Sequence, residues 1–314
     1  MDIDDPVHGS ASIDEPVLQE LIRSDPVQRL KHVNQAGPQQ YYMDKPVTRY
    51  DHSVGVMLLL RRFDAALEEQ IAGLLHDVPH TAFSHLADFV FDTDDHEYHE
   101  RFMEDVVRNS DIPAILERHG IALDDILDEQ NFPLLERDLP DLCADRIDYF
   151  LRDWHVVGGE DITAFRHHLA VDGDMFVLDD RDVAEAYALA YLDAEERREL
   201  AVWELFARAV RRALDTGILG EDDLFGTDDE VYRQLQAADD DRIQDVLARL
   251  ERGIDVTVEP DDPDVVVETK PRWVDPVVAT ERQRVRVTDY SAAVERRIAE
   301  HRETLDGGIP LTID

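Results

Sequence analysis

Residues 65–85 read AALEEQIAGLLHDVPHTAFSH, and the order of residue types in this stretch decides the fold class. Leu67, Ile71, Leu74 and Leu75 fall at i, i+4, i+7 and i+8, the spacing that lays apolar side chains along one stripe of an α-helix. The stripe runs into His76-Asp77, so two titratable groups stand at a core-facing helix end. A second stripe lies between Pro140 and Trp154, where Leu142, Ile147, Phe150, Leu151 and Trp154 alternate with Asp145, Asp148, Tyr149, Arg152 and Asp153. Helical periodicity extends from about residue 15 to about residue 250, with no internal repeat and no Gly/Ser linker.

After roughly residue 252 the pattern changes to short β-branched runs, Ile254–Val258, Val265–Thr269 and Arg284–Thr288, separated by Asp- and Pro-rich turns. Ala292, Val294, Ile298 and His301 then return to helical spacing between Tyr290 and about Thr304. The expected fold is mainly α: a helical domain over 1–225 and a C-terminal extension over 226–314 made of helix and a small sheet. No catalytic constellation is recognisable in that extension.

The chain has 314 residues, 43% of them hydrophobic, which suits one globular domain or two closely joined ones. The longest obvious apolar run, Ala186 to Leu192, is far short of the roughly 18 residues that cross a bilayer, and the N-terminus opens with acid. The expectation is a cytoplasmic protein with no membrane partner. Cys143 is the single cysteine, which excludes an internal disulfide, a multi-cysteine zinc site and an iron–sulfur cluster.

The formal charge of −40 comes from 72 acidic against 32 basic residues, of which three are lysine (Lys31, Lys45, Lys270). This balance resembles that of proteins from salt-accumulating haloarchaea, where a Debye length of roughly 3 Å at molar salt screens the self-repulsion. No basic track is present, so general nucleic-acid binding is not expected and any phosphate contact is local.

His76, His80, His85, His96 and His99 lie within 24 residues, beside Asp77 and Asp88. Such a cluster is a poor core, because each buried imidazole or carboxylate left unpaired costs about 1–3 kcal/mol. A metal ion supplies the missing partner. Imidazole and carboxylate without thiolate favour one divalent ion of the borderline or hard kind: Mn²⁺, Fe²⁺, Co²⁺, Ni²⁺, Mg²⁺ or Zn²⁺.

Three stretches, Thr48-Arg-Tyr-Asp-His-Ser-Val-Gly55, Leu74-Leu-His-Asp-Val-Pro-His-Thr-Ala-Phe-Ser-His85 and Asp145-Arg-Ile-Asp-Tyr-Phe-Leu-Arg-Asp153, resemble successive motifs of the HD-domain phosphohydrolases, in the right order. Within that superfamily the chain is most similar to the deoxynucleoside triphosphate triphosphohydrolase branch, which shares the opening Asp5-Pro-Val-His-Gly9 and the segment Gln35-Ala-Gly37. The resemblance implies an HD-type helical bundle in which His52, His76, Asp77 and Asp145 ligate the metal. It also places His80, His85, Asp88 and His96 around the phosphates, with His96 as general acid and Asp88 as its orienting carboxylate. His99-Glu100 is a competing register for the same pair.

Arg49 and Arg146 are candidate phosphate clamps, since guanidinium binds phosphate bidentately, with structural ion pairing as the other reading of each. Gln35, Tyr149 and Asp153 match residues that the family uses around the sugar. Asp148 and Arg152 read as a structural pair outside the site. Homo-oligomer formation is implied by the resemblance alone.

Three departures from the pattern stand out. Pro79 replaces a common glycine and is expected to mark the same helix end. Ala36 replaces a larger apolar residue beside the sugar, which leaves exclusion of a ribose hydroxyl open. Leu200–Leu214, with Trp203, Phe206 and Val210 in core positions, lacks the arginine and tyrosine that complete the family's nucleotide pocket.

The expected activity is metal-dependent hydrolysis of a small-molecule phosphate, a nucleotide ester or anhydride and foremost a nucleoside triphosphate. An HD-type phosphomonoesterase and a catalytically silent nucleotide sensor are the alternatives. An interaction scaffold rests on charge alone.

Overall fold

The structure, a computed structural model, describes residues 1–42, 46–91, 98–193, 197–259, 261–268, 272–280 and 283–314. The chain begins with a hairpin, β1 (Asp2–Asp5) and β2 (Gly9–Ser12), then short helices α1 (Pro16–Ile22) and α2 (Asp25–Arg29). Next come α3 (Arg49–Arg62), α4 (Leu67–Leu75), α5 (Leu86–Val90), α6 (Met103–Arg108), α7 (Ile112–Arg118), α8 (Leu123–Leu127) and α9 (Ala144–Arg152), the last continued by a π-turn over Asp153–Val157. After α10 (Thr163–His168) a second hairpin, β3 (Leu169–Asp172) and β4 (Met175–Leu178), precedes α11 (Arg181–Asp193), α12 (Arg197–Asp215), α13 (Asp228–Ala237) and α14 (Asp241–Glu251). The chain closes with β5 (Val256–Val258), β6 (Val265–Val267), β7 (Val277–Ala279), β8 (Arg284–Arg286), α15 (Ala292–Leu305) and β9 (Ile309–Ile313).

The molecule is mainly α, as its periodicity requires, and both sequence stripes are buried helix faces: Ile71, Leu74 and Leu75 on α4, and Ile147, Phe150 and Leu151 on α9. Among the described residues no helix is long and apolar enough to cross a membrane. Trp203, Phe206 and Val210 are core residues of α12.

The strands differ from expectation in two ways. The C-terminal runs do not form one sheet: β5-β9-β6 is an antiparallel three-stranded sheet, with Val265 opposite Leu311, while β7 and β8 join β3 and β4 in a separate four-stranded sheet. There β4 runs parallel to β7, with Leu178 opposite Val278. Strands β1 to β4 lie where helix was expected or nothing was assigned. The β3–β4 turn carries Asp172-Gly173, with Gly173 at φ +72°, a local hairpin signal that outweighs helical periodicity over so short a run.

Two hydrophobic cores result. One gathers α1 to α4, α7 to α9 and α11 with Val274, Val278 and Val294 of the C-terminal extension. The other gathers Phe83, Leu86 and Val90 with α12 to α14 and with Leu311 and Ile313 of β9. The loop after α4 therefore lies where the two cores meet.

That loop is held against its own strain. Phe83 and Ser84 take φ of +60° and +57°, a left-handed conformation that persists in non-glycine residues only where the surroundings enforce it. Asp228 Oδ1 accepts the Phe83 N–H at 2.6 Å, and Ser84 Oγ donates to Asn34 O at 2.6 Å. The Arg29 guanidinium donates to Val78 O and His80 O, and on its other side to Phe225 O and Gly226 O. Helix α4 stops at Leu75, four residues before Pro79, as proline at that point requires.

Candidate metal centre

Helix α3 starts with a capping box in which Thr48 Oγ1 accepts the Asp51 N–H and the Asp51 carboxylate accepts the Thr48 N–H. One turn on, His52 is fully buried. Its Nδ1 lies 2.7 Å from Asp148 Oδ2 and its Nε2 lies 2.9 Å from Asp145 Oδ1. Asp148 is fixed in turn: Arg152 donates to both its oxygens at 2.8 and 3.1 Å, and His8 Nε2 approaches Oδ1 at 2.6 Å. Arg152 also donates to Asp5 Oδ2, and Asp5 Oδ1 accepts the Val7 and His8 N–H groups. The Asp-Pro-Val-His-Gly opening thus folds onto the back of the centre and clamps the carboxylate that orients His52.

Gly55 makes this approach feasible. A Cβ there would lie 2.1 Å from both Asp148 Oδ1 and Arg152 Nη2, so only glycine lets α9 pack so close to α3.

With Nδ1 paired to Asp148, Nε2 of His52 faces Asp145 and Asp77, the latter at 3.8 Å, and is the nitrogen on which a cation there would replace a proton. His76 repeats the arrangement at the end of α4: Nδ1–H donates to Gly73 O at 2.8 Å, which leaves Nε2 as the lone-pair nitrogen. His76 Nε2 is buried with no hydrogen-bond partner, 3.4 Å from Asp77 Oδ1 and 3.5 Å from Asp145 Oδ1. Two imidazole nitrogens and two carboxylates from α3, the end of α4 and α9 therefore converge.

The electrostatics ask for a cation at the same place. Burial pushes His52 toward its neutral form, yet the Asp145 and Asp148 carboxylates outweigh it and lift the ring to about 10. His76 is raised by Asp77 and Asp145, again against burial. Burial opposes ionisation of Asp77 and Asp145, but Arg49 and His76 around the first, and His52 and His76 around the second, hold both well below the usual carboxylate range. An orphaned imidazole nitrogen among ionised carboxylates is a donor set that fits a borderline or hard divalent ion.

Beyond Asp77 stands a wall of three more imidazoles. His80 Nε2 is 3.1 Å from Asp77 Oδ1, and its ring stacks on His99 at 3.7 Å between centroids. His85 meets His80 edge-on at 4.9 Å, and its Nδ1 lies 3.1 Å from Asp88 Oδ2. Asp88 Oδ1 accepts the Tyr98 N–H at 3.0 Å. Burial keeps all three rings neutral: His80 is driven well below its ordinary value, His85 to about 4 and His99 to about 3. The Nδ1 atoms of His80 and His99 are buried without hydrogen-bond partners.

Residues 49–153 match the HD domain family. The uncharacterised protein YdhJ of Bacillus subtilis is 37% identical over 306 residues, spanning 94% of both chains. The metal-dependent phosphohydrolase cns2 of Cordyceps militaris is 34% identical over 266 residues, 79% of this chain and 77% of that protein. The chain belongs to the HD-domain metal-dependent phosphohydrolases. A hypothetical protein from Aquifex aeolicus, 19% identical with a TM-score of 0.67 over 94% of this chain and 93% of that one, shares the fold. The deoxynucleoside triphosphate triphosphohydrolase SAMHD1 of Danio rerio is 27% identical over 207 residues, 49% of this chain and 33% of that protein.

In this HD-domain phosphohydrolase the remaining candidates sort by their partners. His96 lies outside the described residues, while His99, the competing register, stacks on His80 within the imidazole wall. Arg49 donates from Nη1 to both oxygens of Asp77, at 3.1 and 3.0 Å, and from Nε to Ser84 Oγ at 2.9 Å. Arg146 is buried behind α9, donating to Asp141 O, Arg137 O, Cys143 Sγ and Glu136 Oε1. Both arginines therefore carry the ion pairing that was the other reading of their sequence positions.

Tyr149 pairs its hydroxyl with that of Tyr191 on α11. Asp153 opens the π-turn after α9 and is half-buried. Gln35 Oε1 is buried without a partner. Next to it Gly37 takes φ +59°, and a Cβ there would meet the Trp203 ring at 2.2 Å and Phe83 O at 2.8 Å, so this segment is pressed between α12 and the loop after α4.

Asp148 and His8 are the residues that sequence reasoning left out. Asp148 stands three residues after Asp145, close enough on the helix to face α3 as well, and that spacing was the available signal. Asp148→Asn is expected to weaken metal binding about ten- to a hundredfold, since partners that orient a ligating imidazole carry effects of that size. Titration of the metal-free variant against a competing chelator measures it.

Proposed function

We propose that the protein hydrolyses nucleotide phosphates, with nucleoside triphosphates as the foremost substrates. The observation that carries this reading is the pairing of two buried groups that each lack a partner: His76 Nε2 among Asp77, Asp145 and His52, and the Nδ1 atoms of His80 and His99 on the adjoining wall. The first suits a divalent metal, and His99 on the wall beside it has a nitrogen free to meet a phosphate oxygen. The similarity to the SAMHD1 triphosphohydrolase, though it spans half of this chain, favours a nucleotide over other phosphate esters.

In this reading His52, His76, Asp77 and Asp145 hold the metal. A divalent ion bound there lowers the pKa of water and polarises a phosphoryl oxygen. His80, whose Nε2–H goes to Asp77, and His99 stand at the phosphate, and the negative charge of a bound phosphate raises His99 so that its imidazolium supplies the proton to the leaving oxygen, the role that the motif resemblance assigns to His96. His85, oriented by Asp88, lies beside both rings. Gln35 accepts a sugar hydroxyl through its unpartnered oxygen, and Tyr149 and Asp153 serve around the sugar as the resemblance implies.

His99→Asn is expected to lower kcat about a hundredfold while metal content stays at the wild-type level, the size typical for loss of one general acid. Elemental analysis beside steady-state kinetics separates the two effects.

A phosphomonoesterase remains the second reading, because Arg49 and Arg146 are both committed to protein partners and a monoester brings less charge to be matched. Incubation with Mn²⁺ in molar KCl and, in parallel, with a mixture of deoxy- and ribonucleoside triphosphates and with nucleoside monophosphates, each resolved by ion chromatography, decides between them. Tripolyphosphate with free nucleoside is the expected product. Survival of every triphosphate alongside release of orthophosphate from nucleoside monophosphates would replace this reading with the second.

A further inference from the structure

We infer that Asp228, the first residue of α13, is a positioning residue of the active site: its carboxylate ties the loop that carries His80 and His85 to the segment that carries Gln35 and so fixes how the two face each other. The inference rests on the reading that these residues stand around a phosphate substrate, and it goes beyond the motif residues, none of which lies after residue 153.

Asp228 is 1% exposed, and both of its oxygens accept N–H groups from outside its own helix. Oδ1 takes the Phe83 N–H at 2.6 Å, while Oδ2 takes the Asn34 N–H at 2.8 Å and the Gln40 side-chain amide at 2.5 Å. A further bond closes the ring, because Ser84 Oγ donates to Asn34 O at 2.6 Å. Phe83 and Ser84 are the left-handed residues between His80 and His85, and Ser84 Oγ also accepts the Nε–H of Arg49, the partner of Asp77. On the other side Asn34 O accepts the Gly37 N–H at 3.0 Å and Asn34 Oδ1 the Ala36 N–H at 2.8 Å, a turn that has Gln35 inside it.

The stretch leading into α13 continues the same grip. Leu224 O accepts the Ala82 N–H at 2.6 Å, and Phe225 O and Gly226 O share the Arg29 guanidinium with Val78 O and His80 O. Residues 224–228 are thus a template along which residues 78–84 are laid. They belong to the second core, in which Leu224, Val231 and Leu235 are buried, whereas the proposed metal ligands come from helices of the first. This is where the second core bears on the chemistry.

The geometry asks for a carboxylate. Burial lifts the group to about 7, opposed by the Phe83 and Asn34 N–H groups and the Arg29 charge and assisted by Asp229. Above that pH each oxygen is an acceptor. Asparagine offers only one such oxygen, so its NH2 faces either the Phe83 or the Asn34 N–H and leaves that buried donor unmatched. The loop then gains freedom at residues whose left-handed φ persists only under constraint.

Full-length Asp228→Asn, metal-loaded and assayed at about pH 8 on the nucleotide that the wild type hydrolyses, is expected to lose about ten- to a hundredfold in kcat with metal stoichiometry unchanged, the scale on which misplaced reacting groups act. Asp228→Glu, which keeps two acceptor oxygens, should recover part of the loss. Leu235→Ala is the control: a cavity in the same helix that touches none of these bonds should lower the melting temperature and leave kcat near the wild-type value. In the ¹⁵N-histidine spectrum of the Zn²⁺-loaded protein, the imidazole signals of His80 and His85 should move in Asp228→Asn and stay in place in Leu235→Ala. Wild-type kcat or unmoved imidazole signals in Asp228→Asn would overturn the proposal, as would an equal loss of kcat in Leu235→Ala at a matched fall in melting temperature. The spectrum needs no turnover, so a protein that hydrolyses no nucleotide would sink the nucleotide reading while the imidazole signals still decide this one.

Discussion

Asp145→Ala is expected to leave a folded protein that retains no divalent metal and shows no measurable hydrolysis. Asp145 Oδ1 faces the Nε2 nitrogens of both His52 and His76, at 2.9 and 3.5 Å, and among the described residues no arginine shares it as Arg49 shares Asp77. Without it the set falls to two neutral rings and Asp77, whose oxygens are already shared with Arg49 and His80. Asp77→Ala should have the same effect on metal and turnover, but with a further penalty. It strips the buried Arg49 guanidinium of its carboxylate, a loss of about 3–5 kcal/mol for a broken buried pair. Asp145 is partly exposed, and Arg49 keeps its carboxylate partner when Asp145 goes, so its removal is the cleaner test. Unchanged turnover in Asp145→Ala would take the catalytic centre away from these residues.

Gly55→Ala, a change of one methyl group on a helix, is expected to be nearly as damaging. In a helix interior the substitution by itself favours folding by roughly 1 kcal/mol. Here the new Cβ would stand 2.1 Å from Asp148 Oδ1 and Arg152 Nη2. Neither is the loose end of a flexible chain: Asp148 is held by His52, His8 and Arg152, and Arg152 by Asp5 and Asp148. Relief requires α9 to move off α3, which breaks the buried pair at a cost of about 3–5 kcal/mol and turns His52 away from the metal ligands. Thermal unfolding should show a large drop in melting temperature, and whatever folds should bind metal weakly. A variant that melts with the wild type and binds metal normally would show that the α3–α9 contact is looser than described.

The sequence made the candidate metal centre legible because its parts are local. Leu67, Ile71, Leu74 and Leu75 bring His76-Asp77 to a buried helix end, and Ile147, Phe150 and Leu151 do the same for Asp145. What the spacing could not convey is how one helix faces another. Asp148 and Arg152 read as an ordinary pair on α9, and their value comes from Gly55, far back in the chain, and from Asp5, 147 positions before Arg152. Arg146 sits next to Asp145 in sequence and points the other way, toward Glu136 and the carbonyls of the preceding loop.

The sequence favours His96 by the apolar residues that follow it; His96 lies outside the described residues, and the competing His99 stacks on His80. The strands show a related limit. β3 and β4 are four residues each and are completed by β7, about a hundred residues later, so their stability resides in a pairing that no local window contains.

The central claim, that His52, His76, Asp77 and Asp145 form the metal site of this phosphohydrolase, is tested most directly by diffraction from Mn²⁺-soaked crystals at a wavelength where manganese scatters anomalously. The account predicts a strong anomalous peak bounded by the Nε2 atoms of His52 and His76 and by the carboxylates of Asp77 and Asp145. A peak elsewhere, with these four side chains unchanged around their present contacts, would contradict it.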